Sequence, residues 1–212
     1  MDEADDIRFR LETGFALDRL WGQTMGSPVG DTKEGALRSV TALLEQAGVA
    51  YALIGGVAVQ MLTAEPRTTR DIDIALRTFA EVPTGALIAA GFQHVGRFAH
   101  SDNWVAPGTG PARERTPIQF AADEAAFARA VERAQVIDVG GLLVRLVSPE
   151  DLVLLKLAAA EEPARRASKR QHDLGDVLAL LEEHPTLRSA VPDLDLRLKR
   201  IQERPMRLGP ER

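Results

Sequence analysis

The sequence predicts an α+β protein, a mixed sheet flanked by helices and followed by a mainly helical C-terminal part. Three observations carry this. Up to residue 147, short apolar runs of strand length are interspersed with stretches whose apolar residues recur at helical spacing. Gly140-Gly141 separates two such runs by two residues, a strong hairpin signal. From Ser148 the pattern turns helical, opening on Ser148-Pro149-Glu150-Asp151: an N-cap, a proline suited to the first helical position and an acidic first turn. The expected organisation is an N-terminal helix and loop over 1–31, an α/β core over 32–147 and a helical region over 148–212.

Taken in order, Ile7, Leu11, Phe15 and Leu20 predict an amphipathic helix over 5–21, and the Gly, Ser and Pro of 22–31 predict a loop. Leu37, Val40, Leu43 and Leu44 form the apolar stripe of a second helix over 32–46, with Gly48 placed to end it. Tyr51 to Ile54 reads as a buried strand. Gly55-Gly56 then turns it into a helix over 57–62, and Pro66 ends that pattern. Strands are expected at 71–76, 92–98, 103–105, 116–121, 135–139 and 142–147. Helices are expected at 84–90 and from 122 through 134, and 107–115 reads as a loop. Beyond Ser148, Pro163 divides one helix from a second over 164–183, and a last helical stretch follows Pro192.

Composition narrows the functional classes. The 212 residues are 45% hydrophobic and 27% charged, ordinary for a folded soluble domain. A net charge of -5 does not advertise nucleic-acid binding, so any polyanion has to be met by a local basic patch. The absence of cysteine excludes a disulfide framework and Cys-ligated zinc. The acidic N-terminal stretch lacks the basic start and apolar run of a signal peptide, and no apolar run approaches the roughly 20 residues of a membrane span. A soluble, cytoplasmic protein is expected.

The chemistry concentrates in LIGGVAVQMLTAEPRTTRDIDIAL, residues 53–76. In a strand, residues i and i+2 share a face, so Asp71 and Asp73 project together while Ile72 and Ile74 pack the other side. Two neighbouring carboxylates stay ionised easily only with a cation between them, and Mg²⁺ fits, because it takes one or two carboxylates plus water and phosphates. By itself a D-x-D pair is ordinary hydrated strand surface. The neighbours point further. Gly55-Gly56 at a strand-to-helix turn lets backbone N–H groups approach a phosphate, and Arg67 and Arg70 flank the loop before Asp71. A tight turn and surface solubility account equally for each of these alone; their order and spacing do not fit coincidence so easily.

This arrangement, a glycine pair, a helix and then R-x-T-x-D-I-D, resembles the nucleotidyltransferase superfamily with the polymerase-beta-like fold. Arg67, Thr69, Asp71 and Asp73 fall on the pattern of the AbiEii-type nucleotidyltransferase toxins. Downstream, S-P-E-D-L-V-L-L-K-L puts Lys156 where that family has a lysine on a helix after the sheet. The run P-A-R-R-A-S-K-R-Q-H-D-L-G-D-V resembles its basic segment ending in D-x-x-D, at Asp173 and Asp176. The resemblance spans residues 36–183. It implies a nucleotidyltransferase-like mixed sheet and transfer of a nucleoside monophosphate from an NTP to an acceptor. In that scheme Asp71 and Asp73 hold one or two Mg²⁺, while Gly55, Gly56, Arg67, Thr69 and Arg70 bind the nucleotide. Lys156 neutralises triphosphate charge and Asp173 assists or orients the acceptor hydroxyl. It further implies the acceptor end of tRNA as target and an antitoxin as partner.

Two departures qualify it. The fourteen residues between Gly56 and Asp71 make a slightly long spacing, which predicts an expanded loop around 64–66. Many superfamily members also carry a third carboxylate on a later strand, where this chain has Gln119 in P-I-Q-F. Glutamine can hydrogen-bond a hydroxyl or a metal-bound water, but it cannot take a proton. Either Asp173 supplies that role or the chain is a nucleotide-binding module with reduced catalysis. Arg165, Arg166, Lys169 and Arg170 form like-charged i,i+4 pairs in the expected helix, so they either pair with Glu161, Glu162, Asp173 or Asp176 or meet phosphate or RNA. Antibiotic-modifying nucleotidyltransferases share the same chemistry, so a small hydroxylated molecule is the alternative acceptor.

Overall fold

The computed structural model describes residues 3–24, 32–64, 68–98 and 100–204. They fall into two compact units, Met1–Ser148 and Pro149–Arg212. In the first, the strands are β1 (Ala52–Ile54), β2 (Ile72–Ala75), β3 (Gln93–Phe98), β4 (Ser101–Val105), β5 (Pro117–Ala121), β6 (Gln135–Val139) and β7 (Leu142–Leu146). They make one mixed sheet in the order β3-β4-β5-β2-β1-β7-β6. β2 runs parallel to β5 and antiparallel to β1, and β1 runs parallel to β7. The D-x-D strand therefore lies at the centre of the sheet, although only four residues long.

Helices α1 (Glu3–Thr24), α2 (Lys33–Gln46), α3 (Gly55–Leu62), α4 (Thr84–Ala89) and α5 (Ala125–Glu132) accompany the sheet. Thr32 caps α2 by accepting from the Gly35 N–H at 3.1 Å, and Gly48, at φ +65°, follows its end as a glycine stop should. α1 runs further than its apolar spacing indicated, so residues 22–24 are helical rather than loop. Gly55 and Gly56 lie within the first turn of α3 instead of preceding it. Gly140 and Gly141 both have positive φ, which the β6–β7 hairpin requires.

The register explains the core. Ile72 and Ile74 of β2 stand beside Ile118 and Phe120 of β5, which stand beside Trp104 and Asp102 of β4. All six are buried. Trp104 packs its ring 4.7 Å from that of His94. A second anchor joins α2 to β7. Arg145 donates to both carboxylate oxygens of Glu45 at 2.8 and 3.0 Å, and the Tyr51 hydroxyl accepts from the Arg145 N–H. Burial pushes that phenol up to about 12.

Asp102 is the one charged member of the buried rows, 1% exposed. His94 Nε2 lies 2.6 Å from one of its oxygens and Arg97 donates to the other at 2.8 Å. Burial pushes the carboxyl up, but the hydrogen bonds from Arg97 and His94 outweigh it and hold Asp102 below the usual carboxylate range. A depressed carboxyl contributes stability that is complete above the unfolded value of about 4 and is lost as pH falls through the folded value. Urea unfolding of wild type and Asp102→Asn at pH 7 and in the acid range is expected to show a gap that closes toward acid. A gap independent of pH would remove Asp102 from the acid response.

The second unit contains α6 (Pro149–Glu161), α7 (Ala167–Glu183), α8 (Leu187–Ala190) and α9 (Leu194–Gln202). α6 and α7 pack together, and Leu152, Val153, Leu157, Leu174, Val177 and Leu181 on the two helices are all buried. α7 starts at Ala167, so Arg165 and Arg166 precede it, and Arg166 is its extended N-cap residue. The like-charged stripe expected on one helix face therefore does not form. No helix among the described residues is long and apolar enough to cross a membrane.

Candidate active site

β1 ends where β2 begins, because the two are antiparallel and Ile54 pairs with Asp73. The chain leaves Ile54 directly into Gly55, so the first turn of α3 rises beside the D-x-D segment. Gly55 adopts φ +66°, and a Cβ there would stand 1.9 Å from Asp73 Oδ2. At Gly56 a Cβ would stand 2.6 Å from the Thr69 hydroxyl oxygen. Each glycine is thus required by a close approach: one receives the Asp73 carboxylate, the other the Thr69 side chain. The α3 backbone lies against both at the end of a helix where N–H groups are unpaired by helical bonds.

Asp71 precedes β2 and, like Asp73, is partly exposed. Gln119 of β5 is the register partner of Asp73, and Asn103 of β4 is the register partner of Gln119. Cross-strand partners share a face about 4.8 Å apart, so Asp73, Gln119 and Asn103 form one polar row. Asn103 was missed in the sequence because its place depends on the β4–β5 register. Its amide donates to Ser101 Oγ at 3.0 Å.

Among the described residues, no group of three or more His, Cys, Asp or Glu is placed to hold a metal ion. Two carboxylates, Asp71 and Asp73, would be the donors that this segment offers to an ion. That set suits Mg²⁺, which completes its shell with water and phosphate oxygens, better than it suits an ion that demands a full protein cage. Arg70 is exposed before Asp71, and Arg67 lies outside the described residues, as do Glu65 and Pro66 of the expected expanded loop.

Lys33 is the other residue that sequence reading passed over. Its ammonium donates to the Thr69 carbonyl at 3.0 Å and pairs with Asp18 of α1, and its side chain is 5% exposed. The only hint in the sequence is its position just after the Thr32 cap.

In the second unit, Lys156 of α6 lies 2.7 Å from Asp176 and 3.5 Å from Asp173. Arg165 reaches Asp173 at 2.7 Å. Asp173 and Asp176, three apart on α7, share a face and are both buried. Arg170 is also buried, whereas Arg166 and Lys169 are exposed. His172 is exposed on the same helix.

Similar proteins give this geometry a context. The crystal structure of an antigenic nucleotidyltransferase-like protein from Paracoccidioides brasiliensis aligns with a TM-score of 0.50 at 20% identity, over 77% of this chain and 92% of that one. The solution structure of the antibiotic-resistance factor ANT(2'')-Ia aligns with a TM-score of 0.50 at 15% identity, over 81% of this chain and 98% of that one. At such identities the likeness concerns the fold, which is nucleotidyltransferase-like. A comparison with curated protein sequences finds no match. Residues 40–211 match the family described as "Nucleotidyl transferase AbiEii toxin, Type IV TA system", a span holding the glycine corner, the D-x-D strand, Lys156 and the D-x-x-D helix. The chain therefore belongs to the AbiEii family of nucleotidyl transferase toxins, and it is a nucleotidyltransferase.

Proposed function

We propose that this nucleotidyltransferase moves a nucleoside monophosphate from an NTP to the acceptor end of a tRNA, using Mg²⁺ held by Asp71 and Asp73. The observation that carries the reading is the seat of the Asp73 carboxylate against Gly55, with Asp71 two residues before it in the chain. Mg²⁺ at these carboxylates would offset triphosphate charge and stabilise the leaving pyrophosphate. Gly55 and Gly56 present N–H groups from the first turn of α3 to the phosphates, and Thr69 and Arg70 border them. Lys156 and Asp173 serve charge neutralisation and placement of the acceptor hydroxyl. The exposed Arg166 and Lys169 offer cations to an RNA backbone, and Arg165 and Arg170 add to the same basic segment. An antitoxin would counter the activity, and the site of action would be the cytoplasm, where NTP and tRNA meet.

The test incubates the full chain with each labelled NTP, Mg²⁺ and total tRNA. Label is expected on tRNA, dependent on Mg²⁺ and lost in Asp71→Ala. No transfer to tRNA would overturn the acceptor, and transfer to a small hydroxylated molecule instead would favour a small-molecule enzyme. Gln119 beside Asp73 favours one other reading, a nucleotide-binding module with little turnover. NTP binding by calorimetry without pyrophosphate release would support it.

A further inference from the structure

We propose that Lys33 is a positioning residue that braces the nucleotide loop, with α1 acting as the buttress behind it. This rests on the assignment of the NTP site to Gly55, Gly56, Thr69, Asp71 and Asp73. Lys33 and most of its supporting residues precede residue 40, where the family match begins.

Two separate contacts join α1 to the two sides of the glycine corner. The first grips α3. Gln60 is buried on α3 and its amide donates to the Arg10 carbonyl at 3.2 Å. The Gln60 side chain occupies the space that a Cβ at Gly14 would fill, within 1.2 Å of that position. α1 can therefore approach α3 closely only because residue 14 is glycine. The second contact grips the loop before β2. Asp18 of α1 pairs with the Lys33 ammonium, which donates to the Thr69 carbonyl. The Thr69 side chain is what packs on Gly56.

The chemistry of Lys33 suits a brace rather than a ligand. A lysine is seldom this buried without a task, because removing an ammonium from water is costly unless it is paired and hydrogen-bonded. Burial lowers its pKa, opposed by the hydrogen bond and charge of Asp18. Its charge is engaged by Asp18 and the Thr69 carbonyl, with little surface left for a phosphate. What it fixes is the backbone of Thr69, two residues before Asp71. Phosphate contacts made by backbone and short side chains depend on such placement, since sub-ångström displacement weakens each hydrogen bond.

The experiment measures NTP affinity in Mg²⁺ by calorimetry, and amide hydrogen exchange, for the full-length wild type, Lys33→Gln, Lys33→Arg and Asp73→Ala. Lys33→Gln is expected to bind NTP about tenfold more weakly, as loss of one charge-assisted hydrogen bond allows. Faster exchange is expected to appear at 68–71 but not in β5. Lys33→Arg, which keeps the charge and the donor, is expected to recover most of the affinity. Asp73→Ala is expected to abolish Mg²⁺-dependent binding. If Asp73→Ala binds NTP as wild type does, the site assignment fails. If Asp73→Ala is deficient while Lys33→Gln matches wild type in affinity and in exchange at 68–71, the brace alone fails. Should Lys33→Gln not fold, Asp18→Asn tests the same link: unchanged affinity and unchanged exchange at 68–71 overturn the proposal.

Discussion

Asp73→Ala is expected to lower nucleotidyl transfer by about 10³-fold or more, while the protein keeps its fold. The size follows from the role proposed for the carboxylate. Removing one of two metal-binding groups forfeits several kcal/mol of stabilisation where triphosphate charge builds up, and about 1.4 kcal/mol is a factor of ten. Asp73→Asn keeps the shape and removes the charge, so it should fall nearly as far. Asp102 provides the control, because it projects from the opposite face of the same sheet and is tied to His94 and Arg97. Asp102→Asn should transfer at close to the wild-type rate. The measurement is initial rate of labelled product at saturating NTP, with the folded fraction checked by circular dichroism. Near-normal transfer by Asp73→Ala would end the assignment of this strand as the metal site.

Gly55→Ala carries the second large effect, and it should strike stability and activity together. Two penalties coincide at this residue. An alanine at φ +66° is strained by about 1–2 kcal/mol. Its Cβ would also stand 1.9 Å from Asp73 Oδ2, so the carboxylate or the start of α3 has to move. Gly48→Ala separates the two, because Gly48 has nearly the same φ, +65°, with nothing within 4 Å of the added carbon. Gly48→Ala should cost only the backbone strain and leave transfer intact. Gly55→Ala should cost about 2–4 kcal/mol and lose most transfer. Equal costs for the two variants, with activity kept in both, would show that Asp73 does not need its seat against Gly55.

The strand carrying Ile72, Asp73 and Ile74 was legible because its information is local: a period of two sets Asp73 on one face and the two isoleucines on the other, although Asp71 falls just before the strand. The helix opening at Pro149, the Gly140-Gly141 hairpin and the Ile72/Ile74 core face were legible for the same reason. Gly55 and Gly56 were readable as special, but half of their reason was not. The sequence suggests room for a phosphate, whereas the structure shows that Asp73 and Thr69 crowd the glycines. Those residues lie eighteen and thirteen positions away, beyond what local pattern conveys. Helical spacing also put Arg165 and Arg166 on a helix that begins after them. Pro163 and the extended Arg166 delay its start, and Arg165 is drawn to Asp173.

By itself, then, the sequence carried the pattern that resembles the nucleotidyltransferases: a carboxylate pair, a glycine corner and a downstream lysine and D-x-x-D, each written in residues close together along the chain. Tertiary structure alone decided which distant groups meet them. It set Gln119 and Asn103 in one row with Asp73, and buried Lys33 between Asp18 and the Thr69 carbonyl. The physical reason is that backbone periodicity is a property of neighbours, whereas sheet register and burial are settled only when separate segments compete for the same space.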